Sequence, residues 1–237
     1  MRILITNDDG IGAPGIRRLA EMAASLGEVW VVAPENQCSA MSHRITIRGQ
    51  MTARRVDFPV PAASAWSLAG TPADCVKVAL MYLMRDHRPD MVFSGVNHGY
   101  NAGYDIAYSG TVGAAMEAMM QGVPAMAWST EAVDCHEVED RYMREIAAEL
   151  LAKKAPEGGI WNVNFPACSL EECQRILRDV KVSQDDFYID TYHEKVLEDG
   201  ISEYHLSYDR NWNASEGTDL FAIAGNYISI GPVNNIS

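Results

Sequence analysis

Short apolar runs recur along this chain, each closed by Gly, Pro or acidic clusters. RILIT at 2–6, EVWVVAP from Glu28, MVFS at 91–94, AMAWS at 125–129 and IWNVNFP at 160–166 show no strict polar alternation. Such runs read as strands buried on both faces, the situation of a parallel sheet. Between them lie stretches with helical spacing. Ile16, Leu19, Ala20 and Ala23 share one face of a helix over 16–25, which Gly27 stops. GTPADCVKVALMYLM carries a start signal: Thr71 as N-cap, Pro72 at the first helical position and Asp74 completing T-x-x-D. Further helices are expected over 111–121, stopped by Gly122 and Pro124, and over 138–153. Met116, Met119 and Met120 sit at helical spacing, which predicts core packing. The order strand–helix–strand implies a doubly wound α/β sheet with right-handed crossovers.

Two stretches break this rhythm. Residues 43–69 alternate around Gly49, in ITIRG and MTARRV, with Ala65–Leu68 as another short strand. They predict an antiparallel excursion or small side sheet. Residues 177–210 mix charge, Tyr and β-formers without a helical period, which predicts a projecting hairpin or arm. DLFAIAGNYISIGPV then reads as a short helix and a strand. With no repeat or flexible linker, one domain over 1–237 is expected, carrying that arm.

Composition narrows the class. The 237 residues are 48% apolar and 22% charged, which fits a globular protein able to bury a core without disulfides. The five cysteines (38, 75, 135, 168, 173) are odd in number and form no C-x-x-C, so buried free thiols are expected. The net charge of −13 lies almost wholly in residues 131–237, which carry 9 basic and 21 acidic side chains. That argues against nucleic-acid polymers as partners. The start MRILITNDDG does not read as a signal peptide, and no run approaches the ~20 apolar residues of a spanning helix. A soluble cytoplasmic protein without membrane contact is expected.

Chemistry concentrates where three strands end, the place where open α/β sheets bind ligands. NDDG follows the first strand, PENQCSAMS the second, and GVNHGYNAGYDIAYSGT the strand at 91–94. Asp8 and Asp9 are adjacent carboxylates that repel unless a cation or proton neutralises one. Oxygen donors of this kind suit Mg²⁺ or Mn²⁺. Asn97 and Asn101 add amides, the loop glycines admit close backbone approach, and Ser109-Gly110-Thr111 opens a helix as a phosphate site would. Capping of that helix is compatible with phosphate binding. The spacing matches neither a Walker A loop nor the dinucleotide fingerprint. Ser39 and Ser42 lack the G-x-S-x-G context of a nucleophile, so Ser39 reads as a ligand or donor beside the Asp pair. His98 lies in the long loop as a candidate substrate contact.

LITNDDG, GTPADCVK, SGVNHGYNAGYDIAYSGTVGAAMEA, VNFP and TDLFAIAGNYISIGP together resemble the SurE survival-protein family, in order and over almost the whole chain. The resemblance implies a Rossmann-like core and a metal-dependent 5′/3′-nucleotidase, acid-phosphatase-like, with some members cleaving short polyphosphate. It implies one divalent cation per subunit on Asp8, Asp9, Ser39 and Asn97. Phosphate-side residues fall on Asn101, Ser109, Gly110 and Thr111, with Asn36 as a further contact. Asp8, Asn97, Ser109 and Thr111 then carry the catalysis. It also implies a homodimer that exchanges the C-terminal arm, and tetramers in some members. The chain departs from the family at Ala40, where Gly usually follows the metal-binding Ser, and at Gly231, where Thr usually precedes Pro. Three other readings stay open on the residues: a phospho-aspartyl mechanism at Asp8, a non-catalytic nucleotide sensor on the same fold, and a glycosyltransferase with a metal-binding acidic pair.

Overall fold

A computed structural model describes residues 1–62 and 64–234; Ala63 and 235–237 of the expected 1–237 domain lie outside the described residues. The strands run β1 (Arg2–Thr6), β2 (Glu28–Pro34), β3 (Ala53–Arg55), β4 (Ser64–Leu68), β5 (Met91–His98), β6 (Ala125–Thr130), β7 (Gly159–Phe165), β8 (Arg175–Arg178), β9 (Tyr188–Val196), β10 (Ser202–Arg210) and β11 (Tyr227–Asn234). The helices are α1 (Pro14–Ala24), α2 (Pro72–Val78), α3 (Gly110–Met120), α4 (Glu137–Ala152) and α5 (Asp219–Ala224). The main sheet has the order β3-β4-β2-β1-β5-β6-β7-β11-β8. From β4 to β7 every pairing is parallel, as the doubly buried runs predict.

Period two along each strand divides the core between the two faces of the sheet. In β1, Ile3 and Ile5 join the cluster under α1 and α4, while Leu4 joins the one under α2 and α3. Phe93 and Trp128 take the first side, Val92 and Ala127 the second. Trp128 stacks on Phe165 at 6.0 Å between ring centres and 8° between planes. The start of α2 forms as its signal predicts: Asp74 N donates to Thr71 Oγ1 and Thr71 N to Asp74 Oδ2.

Several expectations change. α1 starts at Pro14, two residues early, because the fixed φ of Pro suits the first helical turn. ITIRG forms no strand. β3 pairs antiparallel with β4, but β4 lies parallel to β2, so the excursion widens the main sheet rather than forming a separate one. β5 runs past Ser94 to His98 with a register shift against β6, so the long polar loop starts later than Gly95. Met116 is buried and Met119 half-buried, yet Met120 is 54% exposed at the last residue of α3. The arm is shorter than 177–210. β11 offers β8 a parallel partner and draws Leu177 and Arg178 into the main sheet, leaving β9 and β10 as the hairpin.

Candidate active site

The carboxyl ends of β1, β2 and β5 meet in a cleft of about 490 Å³ bordered by Asp8, Ser39, Asn97, His98, Asn101 and Ser109. Asp8 is buried at the end of β1. Thr111 Oγ1 donates to its Oδ1 at 2.5 Å, and Thr111 N to its Oδ2 at 3.2 Å. Gly110 lies flush against it: a Cβ there would stand 2.9 Å from the Asp8 Cβ and 3.0 Å from Oδ2, so only glycine fits. Cys38 N donates to the Asp8 carbonyl at 2.7 Å, which ties the loop after β2 to β1. Burial pushes the Asp8 carboxyl up to about 6; the Thr111 hydroxyl opposes this and the charge of Asp9 adds to it. Asp9 is raised by burial too, against the backbone N–H of His98, whose distance to Oδ2 is 3.2 Å, and the Gln37 side chain.

Asn97 Nδ2 donates to Gly99 O at 2.8 Å, so Oδ1 is the atom of that amide able to meet a cation. Asn101 is held more tightly. Its Nδ2 donates to Ser129 Oγ at 2.7 Å, its N to Asn164 Oδ1 at 2.9 Å, and its carbonyl accepts from Asn162 and Asn164. Ser109 caps α3, accepting from Val112 N at 3.1 Å, and still borders the cleft.

Ser39 is exposed on a loop clamped further along. Ser42 N donates to Tyr108 O at 2.9 Å, Ser42 Oγ to Ala107 O at 2.7 Å, and His43 Nε2 lies 2.8 Å from Glu117 Oε2. Gly113 permits the approach, since a Cβ there would meet Ser42 O at 2.7 Å. Burial raises the Glu117 carboxyl, but His43, Gln121 and Lys77 outweigh it and bring it to about 2. Ala40 and Ser42 have φ of 55° and 53°, in the left-handed region. Ala at 40, where the resemblance leads one to expect Gly, therefore carries backbone strain of about 1 kcal/mol.

The expected site residues fall into four groups. Asp8, Ser39, Asn97, Asn101 and Ser109 share the cleft. Asp9 borders a neighbouring cleft that shares His98. Thr111 and Gly110 lie beneath Asp8 rather than in the cleft, because the Thr111 hydroxyl and N–H are already given to that carboxylate. Asn36 is exposed and outside the cleft; its carbonyl accepts from Cys38 Sγ. Asn162 and Asn164 escaped the sequence reading, although two amides at i and i+2 in an otherwise apolar strand signal one polar face. The tyrosines of the hairpin that border the cleft were also missed as site residues.

Among the described residues no three of His, Cys, Asp and Glu gather as a metal cluster. The candidate set offers two carboxylates, an amide oxygen and a hydroxyl instead. No Lys or Arg borders the cleft among the described residues. Hard oxygen donors of this kind suit Mg²⁺ or Mn²⁺.

A family model described as survival protein SurE matches residues 3–185. This chain belongs to the SurE family. A relative from Clostridium botulinum (strain ATCC 19397 / Type A) named 5′-nucleotidase SurE is 39% identical, covering 99% of this chain and 93% of its own length. One of the same name from Flavobacterium psychrophilum is 38% identical, covering 98% and 90%. The crystal structure of SurE protein from Aquifex aeolicus superposes with a TM-score of 0.84 at 32% identity, covering all of this chain and 95% of that one. Like this SurE chain, the relatives span nearly the same length, so the correspondence runs through the cleft and the hairpin together.

Proposed function

We propose that this SurE chain is a metal-dependent phosphomonoesterase that converts nucleoside 5′-monophosphates, and also 3′-monophosphates, to nucleoside and phosphate. The observation that carries this reading is the cleft itself: Asp8 with the oxygen donors of Ser39, Asn97, Asn101 and Ser109, Asp9 in the adjoining cleft, and no Lys or Arg among the described residues to meet a phosphate. The relatives named 5′-nucleotidase support the substrate class. One divalent cation, Mg²⁺ or Mn²⁺, bound by Asp8, Asp9, Ser39 Oγ and Asn97 Oδ1 would supply Lewis acidity toward a phosphoryl oxygen and water.

The chain's own groups do the rest. Ser109 at the start of α3 presents a hydroxyl at the positive end of an eleven-residue helix. Asn101, fixed by Ser129 and Asn164, borders the same cleft. Thr111 holds Asp8 so that this carboxylate orients the attacking water, and hydrolysis forms the P–O bond to water as the ester bond breaks. Nothing in the site favours a non-catalytic sensor. The homodimer, with tetramers as a further assembly, rests on the exposed apolar side chains of the hairpin, among them Val196 and Ile201. No helix among the described residues is long and apolar enough to cross a membrane; a cytoplasmic location and one domain over 1–237 are part of the same proposal. Phosphate release from a panel of nucleotides and short polyphosphates, with Mg²⁺, Mn²⁺ or EDTA, tests the reading. Nucleoside monophosphates should turn over with metal and stop with chelator; no release under any condition refutes it.

A further inference from the structure

A phosphate and a cation fill only part of a 490 Å³ cleft. The remaining wall comes from the hairpin. Tyr188, Asp190 and Tyr192 of β9 and Leu206 and Tyr208 of β10 border the same cleft as Asp8 and Ser109. Strand geometry explains why these five come together. The first three are alternate residues of β9, and Tyr208 and Leu206 are the register partners of Asp190 and Tyr192.

The root of the hairpin is tied to the catalytic loop. Asp105 Oδ2 accepts from Phe187 N at 2.7 Å and Tyr188 N at 3.0 Å. Arg210 Nη2 lies 2.8 Å from Glu131 Oε1, at the end of β6. The Tyr188 hydroxyl stands 3.4 Å from where a Cβ on Gly99 would sit. Tyr188 meets Tyr208 edge to face at 4.9 Å. Tyr192 and Tyr208 nevertheless remain 66% and 56% exposed, so these rings are not consumed by a core.

We propose that this face of the hairpin root is the nucleoside side of the cleft, with Tyr192 and Tyr208 as the surface on which the base stacks. The inference rests on the nucleotidase reading above and says which part of the substrate the arm recognises. Stacking on tyrosine uses a π face that every base has, so it favours nucleotides over other phosphate esters without selecting one base. Asp190, the register partner of Tyr208 and two residues from Tyr192 on the same strand, is a hydrogen-bond acceptor for sugar hydroxyls or base N–H groups.

The test is a ratio. Initial rates are measured with Mn²⁺ on adenosine 5′-monophosphate and on ribose 5-phosphate, the same ester without its base. The native enzyme should show the higher kcat/KM on the nucleotide. Tyr192→Ala and Tyr208→Ala should reduce that preference by roughly 5- to 150-fold, the range that base–aromatic stacking carries. Tyr192→Phe and Tyr208→Phe keep the π face and should restore it. Thermal melts of each variant show that the fold is intact. An equal kcat/KM on the two substrates in the native enzyme, or an unchanged preference in both alanine variants, overturns the inference. Absence of phosphate release from either substrate by the native enzyme overturns the nucleotidase reading and this inference with it, before any variant is made.

Discussion

At the carboxyl ends of β1, β2 and β5, Asp8, Asn101, Ser109 and Thr111 each hold a protein partner and lie buried. The β9–β10 hairpin instead keeps nine register pairs of ladder with exposed side chains along most of both strands. Both regions border one cleft, but they obtain their geometry differently. The buried end is over-determined: Thr111 fixes Asp8, Asn164 fixes Asn101, and Glu117 fixes the Ser39 loop through His43. The hairpin depends on its backbone ladder and on a root held by Asp105 and Glu131. The comparison teaches where substitutions should register. A change at the buried end propagates through shared hydrogen bonds, whereas one at the hairpin tip touches little of its own chain.

The largest effect should come from Asp8→Asn. Losing that charge should lower phosphate release by about 10²–10³-fold, with weaker Mn²⁺ binding by calorimetry. Unchanged Mn²⁺ affinity would remove Asp8 from the ligand set. Stability without metal should move the other way. The folded Asp8 carboxyl lies at about 6, above its ordinary 3.8, so the fold favours the protonated form. Its contribution is full below the ordinary value and disappears as pH rises through 6. Melts in EDTA at pH 5 and pH 7 should therefore show native protein losing stability against the variant as pH rises.

Glu117→Gln should come next, at about 1–3 kcal/mol of unfolding free energy at pH 7. Here the sign reverses. The folded carboxyl lies at about 2, below its ordinary 4.5, so its contribution is present above 4.5 and declines as pH falls toward 2. Urea titrations at pH 7 and pH 3 should show the gap between native and variant narrowing in acid. A gap that stays constant would mean that the His43 and Lys77 contacts do not stabilise the charged form.

Ser109→Ala should lower turnover roughly tenfold, as expected for one donor to a phosphoryl group, while Mn²⁺ affinity holds. The cap of α3 is lost as well, at about 1 kcal/mol of stability. Native kcat and KM in this variant would place the phosphate donors elsewhere. The smallest effect on chain stability belongs to the hairpin tip. Replacing 193–205 by a short Gly/Ser turn should change the unfolding free energy by under about 0.5 kcal/mol. Light scattering should nevertheless report a monomer. A dimer of native stability would show that the tip does not join the subunits.

Much of this was legible in the chain, for definable reasons. The capping box of α2 needs only four neighbouring residues, and it formed where Thr71 and Asp74 predict. The carboxylate pair at the end of β1 and the Ser-Gly-Thr start of α3 were visible because strand ends and helix starts are local signals. The bond from Thr111 to Asp8 was not legible, because a hydroxyl beside a phosphate and one beside an aspartate have the same sequence signature. Only burial separates them. Asn162 and Asn164 went unread as site residues because nothing near them in the chain says that Asn101, some sixty residues earlier, lies alongside.

The sequence by itself determined most of the core strands and helices, that the pairing from β4 to β7 is parallel, and which loops carry oxygen donors. Those follow from apolar period and local capping, which act within a few residues. Tertiary structure alone decided that β4 extends the main sheet, that β8 joins β11, and that the hairpin root turns its tyrosines toward Asp8. Those are choices of partner between distant segments. Strand period records which face is apolar but not which edge it will meet, and the meeting is set by the packing of the whole chain.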